Sequence, residues 1–98
     1  MMKVIAYDHI VEQVAKLCQE ANFALGEDVI SAFRQAVETE RSPIGKDILL
    51  DLIENANIAT ENRVPMCQDT GVSVFIVELG QDCLIKGGTI TSAINEGV

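Results

Sequence analysis

An α+β fold is what this sequence predicts: three N-terminal helices, a β-strand pair entering a mixed sheet, and a short C-terminal helix. Three observations carry the prediction. Apolar residues recur at helical spacing through the first 60 residues. After Gly71 the pattern changes to a nearly continuous β-branched run, Val72-Ser73-Val74-Phe75-Ile76-Val77-Glu78-Leu79. Gly80-Gln81-Asp82 then offers a turn into a second short run, Cys83-Leu84-Ile85-Lys86, which Gly87-Gly88 breaks.

Each element has a local reason. Asp8 is a candidate N-cap for the first helix. Ile10, Val14, Leu17, Cys18 and Ala21 follow as one helical stripe, with Glu12 and Lys16 paired on the wet face. Asn22 and Gly26 are stop signals. Glu27 and Asp28 open a second helix where its dipole favours acids, and Val29, Phe33, Ala36 and Val37 form its stripe. That helix fades near Glu40 and Arg41. Ser42-Pro43 restarts the chain, since Ser can cap and Pro at the first helical position loses no needed donor. Ile44, Ile48, Leu49, Leu52, Ile53, Ala56 and Ala59 spread over more than one stripe, so this third helix should be covered on several sides. Thr89 or Thr91 caps the last helix, which carries Ile90, Ala93 and Ile94 and ends at Gly97-Val98. The chain thus divides into a helical part (8–60), a loop (62–71) and a mixed β/α part (72–98). A two-strand sheet is poor alone, and a strand apolar on both faces expects cover on both. The chain therefore reads as a piece of something larger or one part of an obligate assembly.

Composition narrows the function. The chain has 98 residues, 48% of them hydrophobic, and a formal net charge of −8. That is one small domain at most, too apolar for disorder and too acidic for a basic nucleic-acid-binding face. No apolar run is long enough to span a membrane, and the start of the chain does not read as a signal peptide. Three cysteines, Cys18, Cys67 and Cys83, are an odd count for a disulfide framework, so reduced thiols in a cytoplasmic setting are expected.

One segment stands apart from packing logic: Asn62-Arg63-Val64-Pro65-Met66-Cys67-Gln68-Asp69-Thr70-Gly71. It places a thiol, an amide, a carboxylate and a hydroxyl on four consecutive residues between rigid elements, where sites tend to sit. Read alone, Cys67 is a loop cysteine with no role, a metal ligand or a nucleophile. A nucleophile would want a base or cation beside it, and the single His, His9, has no link to it. A zinc site would want close ligand pairs, which are missing. Thiolates also suit iron–sulfur clusters, whose ligands can lie far apart in sequence.

Pro65-Met66-Cys67-Gln68-Asp69-Thr70-Gly71, followed by an apolar run ending in Glu78-Leu79-Gly80, resembles the iron–sulfur-dependent hydro-lyases: the class I fumarases and the L-tartrate dehydratase α subunit. The resemblance extends upstream through Ser42-Pro43-Ile44-Gly45-Lys46, Glu54-Asn55-Ala56 and Ile58-Ala59, and downstream to Ala93-Ile94-Asn95-Glu96-Gly97-Val98. It covers nearly the whole chain, and the Met before the Cys brings it nearer the fumarases. It implies reversible addition of water to a small dicarboxylate, fumarate to malate. The implied cofactor is a four-iron four-sulfur cluster held by three cysteines, with one iron open to substrate. By matching position, Cys67 would be a cluster ligand, Gln68 and Asp69 would line the substrate pocket, and Asp69 would move protons. The family's other cluster cysteines are expected outside this chain. Cys18, on the first helix stripe, and Cys83, on the return strand, read as packing residues. A dianionic substrate would approach a −8 chain unfavourably. Near the motif, Arg63 and Lys86 are the cations, and the rest should come from elsewhere in the polypeptide or from a β subunit. The expected unit is thus the N-terminal part of a homo- or hetero-oligomeric hydro-lyase, catalytically silent by itself, with neither nucleic acid nor membrane as partner. The alternative is a non-enzymatic helical interaction module, or a subunit without metal, whose broad apolar surfaces another protein covers. A small thiol-redox protein fits less well, because neither a C-x-x-C pair nor an activating cation is in place.

Overall fold

A computed structural model describes residues 1–68 and 71–98 of the chain. In order, the elements are β1 (Lys3–Ala6), α1 (Tyr7–Phe23), α2 (Glu27–Thr39), α3 (Pro43–Asn62), β2 (Cys83–Lys86) and α4 (Ile90–Gly97). The α+β class and the order of three helices, strand and short helix are as the sequence predicts. Two compact units divide the chain: Met1–Cys18 with Asp69–Val98, and Gln19–Gln68.

The first unit holds the sheet. β1 and β2 pair in parallel, with Lys3 opposite Cys83 and Ala6 opposite Lys86. Lys3 N–H extends the pairing to the Asp82 carbonyl at 2.7 Å. This corrects the membership of the strand pair. The sequence pointed to a hairpin of 72–79 with 83–86, whereas β2 takes its partner from the start of the chain. Four residues, Lys3–Ala6, are too few for period-2 patterning to announce a strand. Residues 72–79 form no strand in this structure. A ladder of hydrogen bonds makes a strand, and β2 gives its neighbouring edge to β1. The run keeps strand composition without strand partners: Val72 is 88% exposed and Ile76 92%.

Helix α1 begins directly after β1, so Asp8 lies in the first turn rather than at the cap, still where the dipole favours a carboxylate. Ile10 is half-buried and Val14 buried on its stripe. Thr89 caps α4, its hydroxyl accepting from Ser92 N–H at 3.2 Å, and Ala93 behind it is completely buried. Gly97 is there for close approach: a Cβ on it would fall 2.6 Å from Val14 Cβ. Tyr7 lies against Gly87 and Gly88, where a Cβ on Gly88 would meet the ring at 2.6 Å, and Gly87 takes a positive φ of 109°. The Tyr7 hydroxyl donates to Glu96 Oε2 at 2.6 Å. An apolar hollow of about 330 Å3 opens in this unit, lined by residues such as Ile10, Leu17, Phe75 and Ile85.

The second unit is helical, and α2 packs on α3. α2 follows Gly26 and stops at Glu40, as the acids and stripe predict. Ser42 caps α3, accepting from Gly45 N–H at 3.2 Å with Pro43 at the first position. Only Ala56 and Ala59 of α3 are buried, while Ile44 stays 73% exposed and Ile48 55%. The expected cover on several sides of this helix is therefore not supplied by the described residues of this chain. Among those residues no helix is long and apolar enough to cross a membrane.

Candidate functional site

The candidate loop starts where α3 ends. Arg63 is the C-cap, and its φ of 51° and ψ of 48° place a non-glycine residue in the left-handed region. This reverses the chain. Val64 N–H then reaches back to the Ala59 carbonyl at 3.2 Å. The Arg63 guanidinium lies 5.1 Å over the Phe23 ring, a cation–π contact that holds the cap. Thr60 Oγ adds a bond to the Phe23 carbonyl at 2.9 Å. The end of α1 and the end of α3 are thus tied together at the base of the loop.

Met66, Cys67 and Gln68 are each held. Met66 N–H donates to the Asn22 carbonyl at 2.8 Å. Cys67 N–H donates to Asn55 Oδ1 at 3.1 Å. Gln68 Nε2 donates to Asn22 Oδ1 at 2.7 Å. The Cys67 side chain is exposed, so these backbone and amide bonds, and not packing, set where the thiol starts from. Cys67 and Gln68 therefore stand together on a pinned loop. Asp69, expected to line the pocket and carry protons, lies outside the described residues, as does Thr70.

The other candidates fall elsewhere. Cys18 is half-buried on α1 and Cys83 half-buried in β2, places that suit packing. Lys86 is exposed in β2. Among the described residues no group of three or more His, Cys, Asp or Glu side chains could hold a metal ion. A cluster would thus take one ligand, Cys67, from this loop, and an exposed thiol on a fixed backbone fits that share.

Sequence reading missed Asn22 and Asn55 as supports of the loop. Asn22 read as a helix stop and Asn55 as part of a resemblance. The signal for Asn55 was present: Ile48, Leu52, Asn55 and Ala59 fall on one helical stripe, and a polar residue on an apolar stripe asks for a hydrogen-bond partner.

A sequence model of the fumarate hydratase (Fumerase) family matches residues 11–98. The putative L(+)-tartrate dehydratase subunit alpha of Methanocaldococcus jannaschii is 40% identical over 87 residues, covering 89% of this chain and 30% of that protein. The L(+)-tartrate dehydratase subunit alpha of Escherichia coli strain K12 is 31% identical over 75 residues, covering 76% of this chain and 25% of that protein. The chain therefore spans less than a third of the length of these curated relatives. No solved structure matches it. The match reaches from α1 to the last residue and takes in the pinned loop, and on that breadth this chain belongs to the fumarate hydratase (Fumerase) family.

Proposed function

We propose that this chain is part of an iron–sulfur hydro-lyase that reversibly adds water to a four-carbon dicarboxylate, and that it contributes one wall of the active site. The observation that carries the reading is the family match over 11–98 with an exposed, backbone-pinned Cys67 inside it. Cys67 would hold the cluster as a thiolate. When bound, the cluster supplies an open iron that acts as a Lewis acid on the departing hydroxyl.

This chain's residues do the rest of its share. Gln68 presents a neutral amide whose plane is set by the bond to Asn22, so it can meet a substrate oxygen without adding charge. Asp69, next in sequence, is assigned to proton traffic on its position in the motif. The substrate carboxylates need cationic forks that a −8 chain does not favour, and these come from further chain or from a β subunit. The name alpha subunit in both relatives supports such a partner. Fumarate is the substrate the motif favours, while the relatives' names favour L-tartrate.

The test uses the naturally encoded protein containing this chain, purified without oxygen together with any co-encoded partner. Iron per chain and turnover of fumarate and of L-tartrate are measured in the parent and in Cys67→Ser. Loss of both iron and turnover in Cys67→Ser is the expected result. Turnover of L-tartrate alone moves the substrate and keeps the chemistry. A parent that binds no iron and turns over neither acid overturns the proposal in favour of a metal-free interaction module.

A further inference from the structure

We infer that Asn55 and Asn22 are positioning residues, Asn55 fixing Cys67 for metal ligation and Asn22 fixing Gln68 for the substrate. This rests on the hydro-lyase reading above and adds to it two residues that lie outside the motif.

Three consecutive residues, Met66, Cys67 and Gln68, each donate one hydrogen bond, and all three bonds end on these two asparagines. Asn55 takes the Cys67 N–H at 3.1 Å. Asn22 takes Met66 N–H on its backbone carbonyl at 2.8 Å and Gln68 Nε2 on its side chain at 2.7 Å. The supports arrive from different helices, Asn22 from the last turn of α1 and Asn55 from the body of α3. Asn55 is not placed for helix stability alone. Asn55 interrupts an apolar stripe, where Leu or Ala would favour the helix and would carry no amide out of water. Both side chains are half-buried, so their rotamers are restricted. The thiol they serve is exposed, so the clamp does not act by burying it.

The two asparagines divide the work. Asn55 acts through the residue that ligates, Asn22 through the residue that meets the substrate.

The division gives the test. In the naturally encoded protein with its co-encoded partner, iron release to a chelator is followed in the parent, Asn55→Ala, Asn55→Ser, Asn55→Asp and Asn22→Ala. Asn55→Ala is expected to release iron about tenfold faster, in line with the loss of a support behind a metal ligand. Asn55→Ser, too short to reach Cys67 N–H, should behave the same way if Asn55→Ala does not fold. Asn55→Asp keeps an acceptor at the right reach and should recover most of the retention. Asn22→Ala should hold iron at the parent's rate while KM for whichever acid the parent turns over rises several-fold at similar kcat. Parent-like iron release in a folded Asn55→Ala or Asn55→Ser overturns the role of Asn55. An unchanged KM in Asn22→Ala overturns that of Asn22. Cys67→Ser separates this failure from failure of the hydro-lyase reading: iron bound normally in Cys67→Ser sinks that reading, whereas iron lost there but kept in Asn55→Ala sinks only the clamp.

Discussion

Residues 64–68 and residues 71–80 are neighbours in sequence and opposites in physics. The first stretch is polar in its contacts. Its backbone N–H groups end on Ala59, Asn22 and Asn55, and its position is explained by residues within its own unit. The second stretch is apolar and keeps Val72, Val74 and Ile76 more than three-quarters exposed. A hydrogen-bonded loop can be completed by two asparagines nearby. A strand apolar on both faces needs a sheet neighbour and two covering layers, and the described residues supply no sheet neighbour and only partial cover, at Phe75. A short piece of sequence can thus hold a finished loop beside an unfinished strand.

The largest expected effect tests the unfinished strand. If further chain or a partner covers this run in the naturally encoded protein, Ile76→Asp there should cost about 3–5 kcal/mol, because a charge would enter a dry position. In the 98-residue chain the same change, at a side chain 92% exposed, should stay within about 0.5 kcal/mol. Thermal unfolding of both forms checks this. Equal, small effects in the two would show that the run is solvent-facing in the natural protein and would erase the contrast.

The same contrast explains what could be read in advance. Ser42-Pro43, Glu27-Asp28 and Thr89 act within one turn of themselves, so the helices they start were legible. Ser42 and Thr89 both cap with their own hydroxyls. The motif marked Cys67 and Gln68 as candidate site residues, although nothing local announced how they are held. β1 was not legible, since Lys3–Ala6 becomes a strand only because Cys83–Lys86 pairs with it across most of the chain. The run 72–79 was misread as a paired strand because composition reports what a segment wants and not whether a neighbour is there. Asn55 lay between these cases: its place on an apolar stripe posed the question, but its partner Cys67 is 12 residues away across a chain reversal.

A middle-sized effect probes the part of the first unit that is complete. Gly97→Ala puts a methyl 2.6 Å from Val14 Cβ and 2.9 Å from the Val11 carbonyl. The helix would gain propensity, but the contact requires α4 to shift, and Val14 is a buried side chain. The expected net loss is about 1–3 kcal/mol by thermal or urea unfolding. A neutral or stabilising Gly97→Ala would mean that α4 is free to slide, leaving this unit as unfinished as the run beside it.

The smallest effect concerns the polar tie of that unit. The bond to Glu96 raises the Tyr7 pKa above the ordinary tyrosine value, with desolvation and then the charges of Glu96 and Asp8 pushing the same way. A raised value means the folded chain keeps this proton when the unfolded chain has begun to lose it. The stabilisation is therefore fully present below the ordinary tyrosine pKa of about 10 and is lost as pH rises through the folded value. Tyr7→Phe lacks the titration. The stability difference between parent and Tyr7→Phe should be flat from neutral pH to about 9, then shrink at higher pH. Tyr7 is the chain's one tyrosine, so tyrosinate absorbance follows the same event directly and should appear later in folded than in urea-unfolded protein. Coincident folded and unfolded titrations would show that the Tyr7–Glu96 bond does not hold the proton. The first unit would then rely on its apolar contacts and its short sheet, and its contrast with the hydrogen-bonded loop of the second would be sharper still.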